Sequence, residues 1–412
     1  MKIRPRCSFD GSFAIPGDKS ITHRAIMFNG IAEGEAHITN ALLGEDCLST
    51  AACMRALGAD VIVGEGEVCV RGTSRPHGAD CYCGNSGTTM RLLMGLAAGC
   101  GADVTLRGDE SLSKRPMERV AQPLRRLGAK IETCEGYAPV CVTASRLIGC
   151  EVDTKVASAQ VKSALLLAAL FAEGETAVRE PLLSRDHTER MLAAMGADIR
   201  REDGVIYVRH STLHAADITV PADISSAAYF MALGALRGET LCLGVGVNPT
   251  RTGILRVFDR MGVHYRLENE RQVCGEPVAD IRTFRSPLRA LIVEREDIPS
   301  LIDELPVIAV LCALAEGESV ITGAEELRVK ESDRIRTTAE MIRAVGGEIE
   351  ERADGFAIRG RSSLAGGTVR SCGDHRIAMS GAVALAASTN GGQIEGEECV
   401  AISFPQFFSM FN

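Results

Sequence analysis

The chain of 412 residues contains no tryptophan, and aromatic residues make up only 4% of it. Proteins that bind single-stranded nucleic acid use aromatic stacking platforms, and nucleic-acid-binding surfaces are basic. This chain has a formal net charge of −9. We therefore expect no nucleic-acid partner. Local clusters of basic residues within such an acidic chain indicate a site for a small anion instead.

Long hydrophobic runs are also missing. The longest, such as residues 305–315, reach about half of the ~20 residues that a membrane helix requires. The N-terminus is basic, but no apolar stretch follows it. We therefore expect a cytoplasmic protein with no signal peptide and no membrane partner.

Cysteine is not scarce, but its pairing motifs are absent. The fifteen cysteines include no Cys-x-x-Cys, and the eight histidines do not pair with them at zinc spacing. The segment Gly17-Asp18-Lys19-Ser20 differs from a nucleotide P-loop, which requires glycine where Asp18 stands. We expect reduced, mostly buried cysteines and no metal, nicotinamide or nucleotide cofactor.

Glycine is abundant, with 42 residues, and it recurs at regular intervals. Six stretches each combine an Ala/Leu-rich helix, a glycine turn and a short β-branched strand, which predicts an α/β fold of six repeats. These helices are predicted to begin near Lys19, Asn85, Ser158, Asp223, Asp303 and Asp374. Five of the repeats contain a second helix, and each of these helices is predicted to end at a glycine in the left-handed conformation. The glycines are Gly58, Gly128, Gly196, Gly262 and Gly346.

Six repeats divide naturally into two similar domains of three. The last repeat is truncated, whereas residues 2–15 precede the first repeat and have none of their own. We infer that they form a strand that completes the C-terminal half. The prediction is one discontinuous domain of residues 1–15 and 222–412, and a second domain of residues 16–221.

Cations gather in the first turns of the Ala/Leu-rich helices. Asp223 or Ser158 alone is explained by ordinary N-capping. Capping does not explain cations, which oppose the helix macrodipole at a typical cost of ~0.3–1 kcal/mol each. A bound anion would compensate for them, and they occur at Lys19, Arg24, Arg91 and Arg376. Residues 328–336 form a further cluster of mixed charges. Two interpretations of this cluster stay open, a solvated helix face and a ligand site.

In their order along the chain, these motifs resemble the EPSP synthase family, the 3-phosphoshikimate 1-carboxyvinyltransferases, and in particular its class II branch. The resemblance runs end to end. It rests on residues 16–20 with Arg24, 84–88 with Arg91, 114–117, 158–163, 184–189, 328–334 and 374–376. It implies an inverse α/β barrel fold of enolpyruvyl transferase type, with two domains of three βαβαββ units each and an active site in the interdomain cleft.

The resemblance further implies that a monomer transfers the enolpyruvyl group of phosphoenolpyruvate to the 5-hydroxyl of shikimate 3-phosphate. This shikimate-pathway step leads to chorismate and aromatic amino acids. Shikimate 3-phosphate would contact Lys19, Ser20, Arg24, Ser158, Ala159, Gln160, Arg185, Asp303 and Lys330. Phosphoenolpyruvate would contact Lys19, Gly87, Arg115, Gln160, Arg334 and Arg376, with support from Asn85, Thr88 and Arg91.

In this scheme Asp303 is the general base for the hydroxyl, and Glu331, supported by Lys19, transfers the proton at the methylene carbon. Because Gly87 is retained, glyphosate is expected to compete with phosphoenolpyruvate. Two positions depart from other members of the family. Ile402 replaces a lysine found in some of them, and Leu92 replaces a proline common in the other branch.

Two alternative functions remain open. A transferase that acts on UDP-N-acetylglucosamine shares the fold but carries a reactive cysteine in the phosphoenolpyruvate loop and a Lys-Asn pair at the first helix. This chain has Lys19-Ser20, and residues 112–117 contain no cysteine. A non-catalytic sensor of phosphorylated acids would have no use for Asp303 and Glu331, whose carboxylates repel anions.

Overall fold

The structure, a computed structural model, describes residues 1–411 and separates into two compact units. Unit 1 comprises residues 1–16, 222–271 and those from 277 onward, and unit 2 comprises residues 17–221 and 272–276. Each unit has its own hydrophobic core. Among residues 1–411, no helix combines the length and the hydropathy needed to cross a membrane.

The strands are short, as expected for a chain with frequent glycine turns. In chain order they are β1 (Lys2–Ile3), β2 (Gly11–Ala14), β3 (Glu35–Thr39), β4 (Asp60–Val63), β5 (Glu67–Arg71), β6 (Ala79–Tyr82), β7 (Val104–Arg107), β8 (Lys130–Cys134), β9 (Tyr137–Thr143), β10 (Glu151–Asp153), β11 (Glu175–Arg179), β12 (Ile199–Glu202), β13 (Val205–Arg209), β14 (Ile218–Thr219), β15 (Glu239–Gly246), β16 (Tyr265–Val273), β17 (Glu276–Phe284), β18 (Ile292–Val293), β19 (Glu318–Ile321), β20 (Glu348–Arg352), β21 (Gly355–Arg359), β22 (Gly367–Arg370) and β23 (Gly392–Glu395).

The helices alternate with these strands. They are α1 (Lys19–Asn29), α2 (Glu45–Ala56), α3 (Gly87–Cys100), α4 (Glu110–Ser113), α5 (Glu118–Arg126), α6 (Ala159–Ala169), α7 (His187–Ala194), α8 (Ile224–Arg237), α9 (Gly253–Met261), α10 (Leu305–Ala313), α11 (Arg334–Ala344) and α12 (His375–Ala386). Short 3-10 segments cover Ile298–Ser300, Glu325–Val329, Glu397–Ile402 and Phe407–Phe411.

Across residues 1–411 the strands form six small sheets with one common arrangement. In the sheet of order β6-β7-β9-β8, the first two strands are parallel and the others antiparallel. The chain runs through it as β6-α3-β7-α5-β8-β9, with the short α4 before α5, which is a βαβαββ unit. The same order recurs in the sheets β14-β3-β5-β4, β10-β11-β13-β12, β2-β15-β17-β16 and β18-β19-β21-β20, and without a fourth strand in β22-β23-β1. The predicted six repeats are confirmed.

The N-terminal segment differs in detail from its prediction, because it holds two short strands instead of one. Strand β1 pairs with β23, and β2 pairs in parallel with β15, so the two strands join different sheets of unit 1. Pro5, which has no amide hydrogen to donate to a ladder, stands in the break between them. Conversely, β14 lies just before residue 222 and pairs with β3 of unit 2.

The first helix of each repeat is buried on all sides, whereas the strands alternate between buried and exposed residues. Strand β9, for example, exposes every second side chain. The buried helices are α1, α3 and α6 in unit 2, and α8, α10 and α12 in unit 1. Each unit therefore has helices inside and sheets around them, the inverse of an ordinary α/β barrel.

Glycine ends the second helix of five repeats as the sequence predicts. The φ angles of Gly58, Gly128, Gly196, Gly262 and Gly346 lie between 79° and 103°. This is the left-handed region, in which a side chain is strained and glycine is not. The prediction is confirmed at all five positions, and each glycine turns the chain toward the following strand.

Candidate active site

Close packing of two buried helices in unit 2 brings polar helix starts together. On α3, a Cβ atom placed at Gly95 would lie only 2.0 Å from the carbonyl oxygen of Ala164 on α6. Glycine alone permits this approach of the two backbones. At the N-terminal ends of the same helices, Gln160 of α6 donates to the Thr88 hydroxyl of α3 at 3.0 Å. It also accepts from the Arg91 guanidinium at 2.6 Å.

These contacts are part of a group of three arginines and two neighbouring residues. We call it the Arg91 cluster, and it consists of Gly87, Arg91, Arg115, Arg119 and Gln160. Arg115 donates to the side-chain oxygen of Asn85 at 2.7 Å, and Arg119 lies 3.4 Å from the hydroxyl oxygen of Ser158. A Cβ atom at Gly87 would lie 3.2 Å from Arg91 Nη1 and 3.5 Å from Arg115 Nη1. The Gly87 backbone therefore faces two guanidinium groups directly.

The three arginines of the Arg91 cluster have neutral partners only. Among residues 1–411, none of them is ion-paired with a carboxylate. Burial, together with the charges of Arg119 and Arg115, lowers the pKa of Arg91 to about 10. The Nε atoms of Arg91 and Arg119 are buried without a hydrogen-bond partner. Uncompensated buried cations are costly, so the cluster is suited to a multiply charged anion.

The start of α1 carries a second cationic group, which we call the Lys19 cluster: Lys19, Ser20, Arg24 and Asp46. Asp18 caps the helix by accepting from the Ile21 amide at 2.9 Å. Lys19 is ion-paired with Asp46. Burial raises the pKa of Asp46, but the Lys19 ammonium outweighs it and holds that pKa below its usual value.

Arg24 is buried among hydroxyl and carbonyl groups. It donates to Thr188, Ser163 and the carbonyl of Ser20, each at 2.8 Å. Burial lowers its pKa to about 10, and the nearby charge of Arg185 contributes in the same direction. Arg185 itself is half-buried in the loop before α7. Four expected contacts for shikimate 3-phosphate, namely Lys19, Ser20, Arg24 and Arg185, thus occur in one region of unit 2.

Two groups of buried ionisable side chains lie near this region. Lys162 is wholly buried and is ion-paired with Glu180 at 3.0 Å and Glu189 at 2.8 Å. His187 is hydrogen-bonded through Nδ1 to Glu276 at 2.9 Å. These groups hold α6 and α7 in place and have no role in the proposed chemistry.

Unit 1 contains an ion-pair network that we call the Arg334 cluster: Asp303, Glu331, Arg334, Asp374 and Arg376. Arg334 is only 1% exposed and contacts three carboxylates. Its guanidinium donates to Asp374 at 2.8 Å, to Glu331 at 2.5 Å and to Asp303 at 3.4 Å. Arg376 Nε lies 3.5 Å from Asp303 Oδ1. The two carboxylates expected to act as base and proton shuttle thus both contact Arg334, and Asp303 also contacts Arg376.

Charges in the Arg334 cluster fix its protonation. Burial raises the pKa of Glu331, but Arg334 outweighs it, helped by His375 and Arg376, and the pKa falls to about 2. His375 is buried beside Arg376 and Arg334, which together with burial lower its pKa to about 3. At neutral pH Glu331 is therefore ionised and His375 is neutral. Glu331 is exposed, with 44% of its side chain accessible.

Some sequence predictions need correction. Lys330 and Arg334 do not face each other on one helix, because α11 begins at Arg334 with Asp333 as its N-cap. Lys330 lies before it and pairs with Glu326 at 3.4 Å. The cysteines are all free, but only six of them are buried, since several lie on the solvent face of strands.

Sequence reasoning missed several residues of these clusters. Asp46 lies in the first turn of α2, where an acidic residue ordinarily complements the helix dipole. For Asp374 the sequence predicts a helix start but no pairing with Arg334, and it gives Arg119 no role. The basic segment 114–117 was the one available signal for Arg119, which follows it by two residues.

One group of side chains could hold a metal ion among residues 1–411, and it lies outside the three clusters. Ligand atoms of Glu35 and His37 on β3 and of Cys69 on β5, three residues on the outer face of these strands, are within 4.8 Å of one another. However, Arg71 already donates two hydrogen bonds to Glu35, at 3.0 and 2.6 Å. The group has no part in the candidate site.

Known proteins match the chain over its whole length. The profile of the EPSP synthase family, 3-phosphoshikimate 1-carboxyvinyltransferase, matches residues 3–411. A 3-phosphoshikimate 1-carboxyvinyltransferase of Desulfitobacterium hafniense is 48% identical, over 100% of this chain and 97% of the relative. The structure of EPSP synthase from Acinetobacter baumannii has a TM-score of 0.91 and 44% identity, covering 99% of this chain and 96% of that one.

A more distant structure shows the fold alone. The enolpyruvyl transferase NikO from Streptomyces tendae has a TM-score of 0.80 at 19% identity, covering 100% of this chain and 96% of that one. The family profile and the close relatives together decide the assignment, and this chain belongs to the EPSP synthase family.

Proposed function

We propose that this chain transfers the enolpyruvyl group of phosphoenolpyruvate to the 5-hydroxyl of shikimate 3-phosphate and releases phosphate, the shikimate-pathway reaction of its family. The observation that carries the proposal is the Arg91 cluster, in which three arginines lie together without an anionic partner. Phosphoenolpyruvate and shikimate 3-phosphate each carry a phosphate and a carboxylate. Such ligands supply the negative charge that these cations lack.

Those expected binding residues that belong to unit 2 divide between two polar regions. Gly87, Arg115 and Gln160 are assigned to phosphoenolpyruvate, with Asn85, Thr88 and Arg91 holding them in position. Shikimate 3-phosphate is assigned to the Lys19 cluster together with Ser158, Ala159, Gln160 and Arg185. Gln160 bonds to Arg91 and Thr88 of α3 and follows Ser158 and Ala159 at the start of α6, which supports its place in both sets.

The Arg334 cluster supplies the acid–base groups. Protonated Glu331 donates a proton to the methylene carbon of phosphoenolpyruvate, and the cationic carbon that results is attacked by the 5-hydroxyl. Asp303 removes the hydroxyl proton. From the tetrahedral intermediate phosphate leaves with the electrons of its C–O bond, and Glu331 takes a methyl proton back. Such positioned groups contribute ~10²–10⁴-fold each.

Protonation of Glu331 requires a change in its surroundings, because Arg334 holds its pKa at about 2. The carboxylate of phosphoenolpyruvate is assigned to Arg334 and Arg376. When that carboxylate binds Arg334 it replaces Glu331 as the partner and offsets the positive charge. The pKa of Glu331 then rises, so that substrate binding prepares the proton donor.

Purified protein tests this proposal. Phosphate release is expected only when phosphoenolpyruvate and shikimate 3-phosphate are both present. Release with UDP-N-acetylglucosamine in place of shikimate 3-phosphate would contradict it, and binding without turnover would identify a sensor. The interdomain site, the monomeric state and the cytoplasmic location stay predictions. Light scattering tests the monomer and cell fractionation tests the location.

A further inference from the structure

We infer that Arg119 binds the phosphate group of shikimate 3-phosphate, together with Ser158 and the free amides at the start of α6. This inference rests on the proposed function, but it assigns a contact that the sequence motifs do not include. Arg119 is a half-buried residue in the first turn of α5, a helix whose inner face packs in the core of unit 2. Its position is therefore fixed by buried neighbours.

The start of α6 has an unusual cap. Ser158 is its N-cap residue, yet the hydroxyl does not accept from the first amides of the helix. Instead it faces Arg119 Nη2 at 3.4 Å. A capping serine ordinarily satisfies one of those amides. Here the amides and the hydroxyl stay available together at the N-terminus of an eleven-residue helix, which is an arrangement suited to phosphate.

Arg119 has donors available for the same ligand. Its Nε is buried and has no hydrogen-bond partner, and the guanidinium is not ion-paired among residues 1–411. Nearby, the Nε of Arg91, a residue only 8% exposed, is also buried without a partner. Two guanidinium groups with unused buried donors therefore lie beside one uncapped helix, and both observations call for an anion.

The choice between the two substrates follows from the partners of neighbouring arginines. Arg115 donates to Asn85, two residues before α3 begins, whereas Arg119 contacts Ser158, the N-cap of α6. The start of α3 is assigned to phosphoenolpyruvate and the start of α6 to shikimate 3-phosphate. Arg119 therefore serves the acceptor substrate and separates its phosphate from the phosphoenolpyruvate subsite.

Removing the phosphate from the ligand provides the sharpest test. Calorimetry would measure the binding of shikimate 3-phosphate and of shikimate to the wild-type protein and to Arg119→Gln, Arg119→Lys and Arg126→Gln. For Arg119→Gln we expect shikimate 3-phosphate to bind ~10-fold more weakly, the loss of a charged hydrogen bond. Shikimate should bind as it does to wild type, since it lacks the group that Arg119 contacts.

Two further variants serve as comparisons, one at Arg119 itself and one at a control position. Arg119→Lys keeps the charge and is expected to recover part of the affinity, and it remains informative if the glutamine variant folds poorly. Arg126 lies on the same helix, is exposed and donates to the Glu151 carbonyl at 2.9 Å. Its glutamine variant should bind shikimate 3-phosphate normally.

Three outcomes would overturn the inference. Unchanged affinity for shikimate 3-phosphate in Arg119→Gln would show that Arg119 does not contact the phosphate. An equal loss of affinity for shikimate would show that Arg119 only supports the structure. A rise confined to the KM for phosphoenolpyruvate would assign Arg119 to the phosphoenolpyruvate subsite instead. A wild-type protein that binds but does not turn over would instead contradict the proposed function, while the binding comparison would still decide the role of Arg119.

Discussion

Glu331 and Arg334 form a close ion pair, with Glu331 Oε2 2.5 Å from Arg334 Nη2. The pair joins an exposed carboxylate to a guanidinium that is almost completely buried. Asp374, itself buried, accepts from both Nε and Nη2 of the same guanidinium. Glu331 is thus the partner that an incoming carboxylate can replace, whereas Asp374 keeps Arg334 in place.

Glu331→Gln should separate proton transfer from binding. We expect turnover to fall ~10²–10⁴-fold, because the amide cannot exchange the proton. The KM for phosphoenolpyruvate should not rise, since a competing negative charge has been removed from Arg334. Phosphate-release kinetics check both expectations. Glu340→Gln, on the exposed face of α11, is the control and should behave as wild type, while near-normal turnover of Glu331→Gln would refute the proton-shuttle role.

Asp303→Asn is expected to lower turnover, also by ~10²–10⁴-fold, with a smaller effect on shikimate 3-phosphate binding. A base acts on the hydroxyl in the transition state and not in the ground state. The Asp303 carboxylate lies 3.4 Å from Arg334 and 3.5 Å from Arg376, and asparagine preserves its size. Binding constants and turnover should be measured on the same preparation. A variant that loses binding but keeps turnover would refute the assignment of Asp303 as base.

Arg185→Ala should weaken shikimate 3-phosphate binding by ~10–100-fold, corresponding to ~1.5–3 kcal/mol for a charged hydrogen bond. Turnover at saturating substrate should change less. Arg179→Ala removes an exposed arginine from β11 and serves as the control. Binding titrations of the two variants check this prediction, and equal affinities would exclude Arg185 from the site.

Glyphosate, a phosphonate, is expected to compete with phosphoenolpyruvate, and Gly87→Ala should relieve the inhibition. A methyl group at Gly87 would point at Arg91 and Arg115, at 3.2 and 3.5 Å, and would narrow the space for any ligand bound there. The KM for phosphoenolpyruvate should therefore also rise. Steady-state assays at several phosphoenolpyruvate concentrations check both effects. A wild-type enzyme indifferent to glyphosate would contradict the assignment of this subsite.

Buried His23 should make the protein less stable in acid. Burial, aided by the charge of Lys19, lowers its pKa to about 3, against ~6.5 in an unfolded chain. Between these values the unfolded state binds the additional proton, so stability rises with pH across that range and its contribution levels off below about 3.

The measurement is the urea midpoint of unfolding at several pH values. Because carboxylates titrate in the same range, the informative quantity is the difference between His23→Gln and the wild type. The variant should show a shallower dependence between pH ~6.5 and ~4. Exposed His264→Gln is the control, and an unchanged slope in His23→Gln would contradict the prediction.

Much of the fold can be predicted from short sequence signals at the ends of the helices. Gly58 and its four counterparts identify helix ends because only glycine adopts that backbone angle without strain. Polar caps such as Ser158 and Asp374 locate the helix starts within a few residues. These signals depend only on neighbouring residues, so they predict helix starts and ends without any knowledge of tertiary packing.

What escaped prediction depends on distant packing. Gly95 looks like a weak point in a helix, yet it allows α3 and α6 to meet and so places Gln160 beside Arg91. Arg119 resembles any solvated residue of an amphipathic helix until Ser158 is placed next to it. For Lys330 the sequence leaves a solvated helix face and a ligand site open, because charge spacing alone does not show that α11 begins four residues later.

The strands β2 and β14 have a consequence for biosynthesis. Each lies at a point where the chain passes from one unit to the other, and each completes a sheet built mainly from residues on the far side of the sequence. During translation, residues 17–221 emerge with every strand of their three sheets, so this unit can fold on the ribosome. Strand β1 must wait for residues 392–393 before its sheet can form. Unit 1 can therefore complete its sheets only after the residues of β23 have been synthesised, because its first strand pairs with that strand.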